Sequence, residues 1–313
     1  MGLDDIKRVA VVGAGLMGHG IAQIYAEAGY DVRLVDTREA ELDRAKTRIR
    51  ACLATIGKKG LVSEEEGNLC MTRIRFTTNL SDAVSDADLV VEAVPEVAEI
   101  KTDVYRKLDA FCGPETLFHT NTSGLDVFRL VPEKRAVRLV ATHFFAPARI
   151  IPLVEVCPGP VTDKNALCLT KSLLRKVGKQ PLVMKQFVPS FIVNRIQNYI
   201  SMAVFEMLSN NWATPAEIDI AVKYSLGIRL PIVGVVQSLD FTGLDLVQDI
   251  IAGTGISIPL IDDLVKQGRL GAKTSKGFYD YDGRSEEAIV EKRDLRYLEI
   301  AEFLEKTGAH QSI

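Results

Sequence analysis

"RVAVVGAGLMGHGIAQIYAEAG", residues 8–29, joins a run of small β-branched residues to a helical-period segment through glycines at 13, 15 and 18. RVAVV has the composition of a buried strand and GHGIAQIYAEAG the pattern of a helix, so Gly13-Ala14-Gly15-Leu16-Met17-Gly18 falls at a strand-to-helix turn. In that setting one glycine makes the tight turn, one lets backbone approach a pyrophosphate, and one lets the helix pack on the strand. The helix N-terminus then faces the phosphate charge. Glycine spacing alone is a weak signal. Asp36 strengthens it, ending the next strand-like run eighteen residues beyond Gly18, where a carboxylate can accept hydrogen bonds from an adenine-ribose diol. Strand context, glycine spacing and acid together predict a dinucleotide site that includes Gly13, Gly15, Leu16, Met17, Gly18 and Asp36. The Asp36 charge would repel a ribose phosphate, which favours NAD over NADP; Arg38 could pair with such a phosphate but reads as a solvated cation at a helix start. His19, inside the opening helix, reads as a neighbour of the cofactor.

Working outward, strand-like runs alternate with helical periodicity as far as residue 185: RVAVVG, DVRLVD, RIRFTT, DLVVEA, LFHTN, RLVATHF, LVEVC and PLVMK. This alternation predicts an α/β fold, a doubly wound and mostly parallel Rossmann-type sheet with helices on both faces. After KQFVPS the pattern changes. Ile192, Ile196, Ile200, Ala203 and Met207 draw one apolar stripe along a long helix. Thr214-Pro215-Ala216-Glu217 forms a helix start with a capping box, and further helices are expected over Pro259–Lys266 and Arg293–Lys306. GAKTSKGFYDYDG, residues 271–283, reads as a structured loop. The expected division is a dinucleotide-binding domain over 1–187 and an all-helical C-terminal domain over 188–313.

A net charge of −3 and a pI near 5.9 argue against nucleic-acid or membrane-surface partners and for a small-molecule substrate. The apolar runs are strand-length, and no charged segment with a cleavage site precedes the first, so a cytoplasmic location is expected. Cys52, Cys70, Cys112, Cys157 and Cys168 are odd in number and contain no C-x-x-C pair; they read as core filler. His19, His119, His143 and His310 share no i, i+4 spacing, and no metal site is expected.

THFFAPARIIPLVEVCPG, residues 142–159, places two ionisable groups among apolar residues. Oxidising an alcohol needs a base for the hydroxyl proton, and histidine suits that role because it titrates near neutrality. His143 lies at the C-terminal end of the strand RLVAT, the side of an open α/β sheet where ligands bind. Glu155, in the next apolar strand, needs a partner, and an imidazole would serve, with the ring's tautomer fixed in return. The same residues are equally readable as a satisfied core histidine and an ordinary strand carboxylate.

Thr142-His143-Phe144-Phe145, Leu153-Val154-Glu155-Val156, Asn121-Thr122-Ser123 and Val193-Asn194-Arg195 together resemble the L-3-hydroxyacyl-CoA dehydrogenase family, including bacterial 3-hydroxybutyryl-CoA dehydrogenases. The likeness runs from the glycine loop through Val90-Val91-Glu92-Ala93 to Lys276-Gly277-Phe278-Tyr279-Asp280-Tyr281. The resemblance implies an NAD-dependent enzyme of fatty acid metabolism that interconverts an L-3-hydroxyacyl-CoA and its 3-ketoacyl-CoA, with a second domain that completes the substrate cleft. The stripe from Ile192 to Met207 and the helices after it offer more apolar surface than one thin domain can bury, so this domain is also expected to dimerise. The resemblance also implies that His143 is the base and Glu155 its partner, that Ser123 hydrogen-bonds the reacting oxygen, and that Asn194 sits near the reaction centre. It further assigns Glu96, Lys101 and Asn121 to the cofactor shell. Read without it, Ser123 is a strand-end turn, Asn194 a polar residue near a helix start, and Glu96 with Lys101 a solvated helix start. Three departures leave the substrate open: Ala146 and Ser190 stand where the family commonly has Asn and Gly, and RLPIVGVVQSLDFTGLD, 229–245, replaces a Gly-Pro-Phe segment. Lys58 and Lys59 could meet CoA phosphates or simply face solvent. The alternatives are a non-thioester 3-hydroxy acid, as in the gulonate dehydrogenase and lambda-crystallin branch, and a non-catalytic NAD-binding protein.

Overall fold

Val9, Ala10, Val11 and Val12 are all buried in β1 (Arg8–Val12), a strand apolar on both faces and therefore covered on both. The computed structural model describes residues 2–311. β1 lies between β2 (Asp31–Val35) and β4 (Leu89–Glu92), both parallel to it. With β3 (Ile74–Thr77), β5 (Leu117–Thr120), β6 (Leu139–Phe144), β7 (Leu153–Pro158) and β8 (Gln180–Val183), the sheet has the order β3-β2-β1-β4-β5-β6-β7-β8. All eight runs expected to be strands are strands. β6 and β7 pair antiparallel, because the loop of residues 145–152 between them is too short for a crossover; the other pairings are parallel.

β1 shows how the faces are filled: Val9 and Val11 point into one core and Ala10 and Val12 into the other. The first core is shared with α1 (Gly18–Glu27), α2 (Glu39–Gly57), α3 (Glu64–Thr72) and α7 (Lys164–Lys176). The second is shared with α4 (Leu80–Val84), α5 (Ala98–Phe111) and α6 (Glu133–Ala136). Strand order reverses between β2-β1 and β1-β4, which opens a crevice at the carboxyl ends of these strands.

The chain forms two compact units that divide between Tyr199 and Ile200. Sequence periodicity changes earlier, near 187. Residues 188–199 belong with the sheet unit because Phe191 packs with Ala141, Cys157 and Met184, and Glu155 holds the backbone that follows. α8 (Val193–Ser209) begins in the first unit and ends in the second. Next comes α9 (Pro215–Ala221), with Thr214 and Glu217 forming the expected capping box, and a π-helical turn over 222–226. α10 (Gly227–Thr242), α11 (Leu244–Ala252), α12 (Pro259–Lys266) and α13 (Glu286–Lys306) follow. The divergent stretch 229–245 is thus mostly helix, bent at Gly234, where φ is +65°. α13 starts at Glu286 rather than Arg293, capped by the Ser285 hydroxyl on the Ala288 amide. Buried Asp240 on α10 organises the loop at 271–283: its carboxylate accepts from the amides of Phe278 and Tyr279 and from the Tyr281 hydroxyl.

Candidate active site

The turn after β1 is built by close approach. Gly13 has φ +105°, and a Cβ there would press into the Ala93 carbonyl after β4; a Cβ on Gly18 would overlap the carbonyl of Gly13. At Gly15 a Cβ would meet nothing within 4 Å. Two glycines are therefore required by packing, while the third faces open space beside the N-terminus of α1, a cradle suited to a pyrophosphate. Asp36 braces the turn, accepting from the Ala14 amide at 2.9 Å through one oxygen and from the Arg38 amide at 3.1 Å through the other. Two amides leave lone pairs on this carboxylate for a ribose diol. The Arg38 guanidinium is exposed and pairs with Glu41 at 3.2 Å. His19 Nδ1 lies 2.8 Å from the Gly15 carbonyl oxygen, so the ring is tied to the loop from within α1.

A cavity of about 1240 Å³ runs along these strand ends, with Gly15, Leu16, Met17, Asp36, Glu96, Asn121, Ser123, His143, Ala146 and Asn194 in its wall. The sequence reading missed the apolar side, which Leu80 of α4 and Ile100, Val104 and Phe111 of α5 supply. Its signal was present. α5 buries Tyr105 and Leu108 in the core, so a second set of apolar residues on the same helix needed another use.

His143 and Glu155 stand directly opposite each other on β6 and β7, and His143 Nδ1 lies 2.9 Å from Glu155 Oε2. Glu155 is fully buried, yet both of its oxygens are engaged: Oε1 accepts from the amides of Ile192 and Val193, each at 2.9 Å. The carboxylate therefore closes the N-terminus of α8, where a negative charge is favoured. Phe191 stacks on the imidazole, with centroids 5.2 Å apart, and Phe145 meets it edge-on at 4.5 Å. With Nδ1 committed to Glu155, Nε2 is the uncommitted nitrogen of a ring that lines the cavity.

Ser123 is placed by Glu96. One oxygen of that carboxylate accepts from the Thr122 hydroxyl at 2.6 Å and from the amides of Ser123, Gly124 and Leu125 at 2.8–3.0 Å. Burial disfavours its charged form, but the Thr122 hydroxyl, the loop amides and the Lys101 ammonium outweigh that and hold the carboxyl down at about 2. Lys101 lies beneath the wall rather than in it, buried and bonded to Glu92 at 2.7 Å and Glu96 at 3.2 Å. Glu92, which the sequence reading gave no role, also accepts from the Tyr105 and Thr120 hydroxyls and the Val94 amide. It anchors Lys101, which supports Glu96, which shapes the Ser123 loop. Asn121 Oδ1 accepts from the Phe144 amide at 2.8 Å and so joins the ends of β5 and β6. Ser123, Asn194 and His143 thus share one cavity with the phosphate cradle, an arrangement that can hold a hydroxyl or carbonyl oxygen beside a dinucleotide.

Residues 8–187 match the family model described as 3-hydroxyacyl-CoA dehydrogenase, NAD binding domain, and residues 191–281 that of 3-hydroxyacyl-CoA dehydrogenase, C-terminal domain. The chain is 36% identical to a 3-hydroxybutyryl-CoA dehydrogenase of Bradyrhizobium diazoefficiens, over 89% of this chain and 96% of the relative. It is 28% identical to a 5-formyl-3-hydroxy-2-methylpyridine 4-carboxylate 5-dehydrogenase of Mesorhizobium japonicum, over 96% and 99% of the two chains. A solved 3-hydroxyacyl-CoA dehydrogenase of Archaeoglobus fulgidus superposes with a TM-score of 0.76 at 26% identity, covering 95% of this chain and 99% of the other.

Proposed function

The chain belongs to the 3-hydroxyacyl-CoA dehydrogenase family of oxidoreductases with NAD as cofactor, and from that premise we propose that it interconverts an L-3-hydroxyacyl-CoA and the corresponding 3-ketoacyl-CoA. The observation that carries this reading is the His143–Glu155 pair, set in the cavity that also contains the phosphate cradle. NAD, when bound, supplies the hydride acceptor or donor.

The protein's own residues handle the proton. In the oxidative direction the substrate hydroxyl donates to His143 Nε2, and its proton passes to that nitrogen as the carbonyl forms. Nδ1–H donates to Glu155 throughout, which fixes the tautomer; the carboxylate offsets the charge the ring gains. Glu155 is itself held by the amides of Ile192 and Val193 at the start of α8, so the ring and Asn194 are referred to the same helix start. The Ser123 hydroxyl and the Asn194 amide orient the reacting oxygen and stabilise the charge developing on it. In reduction His143 returns the proton to the carbonyl oxygen. We read the active form as a homodimer associated through the helical unit.

A second reading keeps the proton chemistry and changes the substrate to a non-thioester. Ala146 favours it, putting a methyl group in the cavity wall where the family commonly has an amide, as does likeness to a relative named for a pyridine carboxylate. A panel of acetoacetyl-CoA, longer 3-ketoacyl-CoAs and free 3-hydroxy or 3-keto acids, assayed with NADH or NAD, separates the two. The thioester reading expects the highest kcat/KM with a CoA ester; a free acid preferred over every CoA ester would reject it. His143→Gln should lower kcat by a factor of about a hundred or more while NADH binding persists, and near-normal turnover would remove His143 from the mechanism.

A further inference from the structure

The loop of residues 145–152 joins the strand of His143 to the strand of Glu155. Its first residues, Phe145 and Ala146, line the cavity, and Phe145 sets an edge against the imidazole. Farther along, the loop is pressed against α1, where a Cβ added to Gly20 would come within 3.0 Å of Ala148 Cβ, and Arg149 reaches Glu27 of α1 at 2.6 Å. What fixes its backbone comes from a distant part of the chain. Lys179, just before β8 and only 6% exposed, donates from Nζ to the carbonyl oxygens of Ala148 at 2.6 Å, Ile151 at 2.9 Å and Arg149 at 3.3 Å.

A lysine ammonium carries three N–H donors and no acceptor, so three converging carbonyls satisfy it completely. Among the described residues it forms no salt bridge, and the carboxylate that acts on it, Glu27, is engaged by Arg149. Burying a charge without a counter-ion is costly. Pairing β8 with β7 does not call for it, since that ladder is backbone alone. The loop is what the burial serves. We propose that Lys179 is a positioning residue for the reaction: by pinning the carbonyls of Ala148, Arg149 and Ile151 it holds Phe145 against the His143 ring and fixes the Ala146 wall of the cleft. This inference rests on His143 being the acid–base group.

The charge state gives a readout that a purely structural lysine would not. Burial first, and then the Arg149 guanidinium, bring the Lys179 pKa down from 10.5 to about 8, against the pull of Glu27; Lys176 is the other cation at this surface. Above that pH the neutral amine has two donors for three carbonyls, and the clamp loosens. The effect on folding has the opposite sign. Between about pH 8 and 10.5 the unfolded chain binds the proton that the folded chain has lost, so this group's contribution to stability rises with pH. Activity should therefore fall through a window in which Lys179 does not destabilise the fold.

The test compares wild type, Lys179→Met and Lys179→Arg in NADH-dependent reduction of the best 3-keto substrate, with deuterium exchange of the 145–151 amides measured separately. Met should lower kcat by about tenfold or more, the scale for a misplaced catalytic group, leave the KM for NADH within about twofold, and speed exchange at Ile150 and Ile151, whose amides bond to the Pro147 carbonyl. Arg should restore at least half the lost kcat and carry activity to higher pH than wild type. Unchanged exchange in the Met variant overturns the clamp, and faster exchange with unchanged kcat overturns the positioning role. If the Met variant does not fold, an Arg variant with the wild-type alkaline limb overturns the proposal. If wild type reduces no 3-keto compound, the functional reading fails, while exchange still decides whether Lys179 holds the loop.

Discussion

Ser190 and Phe191 both adopt left-handed backbone directly before α8, with φ of +67° and +52°. The turn they make delivers three things to one place: the Phe191 ring to the face of His143, and the amides of Ile192 and Val193 to Glu155. The glycine that the family commonly carries at the position of Ser190 has a backbone reason, since a side chain there costs about 1–2 kcal/mol. Part of that cost is returned because serine restricts the unfolded chain more than glycine does. Ser190→Gly should therefore stabilise the sheet unit by about 0.5–1 kcal/mol, read as a higher denaturant midpoint with an unchanged slope; a lower midpoint would show that the serine side chain contributes something the backbone argument omits. At this scale the sequence offered His143 and Glu155 as a pair because ionisable groups in apolar strands demand partners, but left a core histidine and an ordinary strand carboxylate equally open until the family resemblance chose between them. It did not disclose the second half of the Glu155 arrangement, which lies 37 residues away along the chain. Nor did it disclose Lys179, because a lysine before a strand looks like any solvated cation until three carbonyls are found around it.

At the scale of elements, legibility followed local chemistry. The eight strands, the capping box at Thr214 and the helix over Pro259–Lys266 are encoded within a few residues and were readable. Ser285 with Glu286 and Glu287 carried the corresponding signal for α13, a capping hydroxyl before an acidic first turn, and the apolar period alone placed that start too late. The loop at 271–283 was readable as ordered, but its cause lies in α10. Asp240 is 1% exposed and accepts three hydrogen bonds from that loop, while Gly277 approaches the carboxylate too closely for any Cβ. Asp240→Ala would leave the Phe278 and Tyr279 amides and the Tyr281 hydroxyl without their acceptor, a cost of about 3 kcal/mol. The expected result is a lower denaturant midpoint for the helical unit and faster deuterium exchange at Phe278 and Tyr279. A change below about 0.5 kcal/mol, the level of an ordinary surface substitution, would mean that the loop is held by its own turns.

For the whole molecule, the helical unit is short of core. Its two buried clusters hold three residues each, Leu244, Ile261 and Leu264 in one and Ala272, Tyr281 and Ile289 in the other, whereas the larger sheet cluster holds thirty. Among the described residues, eighteen of thirty-two exposed large apolar side chains belong to this unit, although it is the smaller of the two. Met202, Phe205, Trp212, Ile250, Leu260 and Leu298 are each at least 60% exposed, and α8 buries none of its residues. Scattered single residues of this kind need no explanation, but this many on so few helices do. The proposed homodimer would cover them with a second copy of the chain, because a two-fold contact pairs an apolar face with itself, and a stable interface needs only about 800 Å² from each partner. Sedimentation at about micromolar concentration, in the range where interfaces of this size hold, should give twice the chain mass of 34.4 kDa. Phe205→Glu together with Leu298→Glu should shift the equilibrium toward monomer. A wild-type monomer would overturn the assignment, and a dimer indifferent to both substitutions would move the interface off these helices.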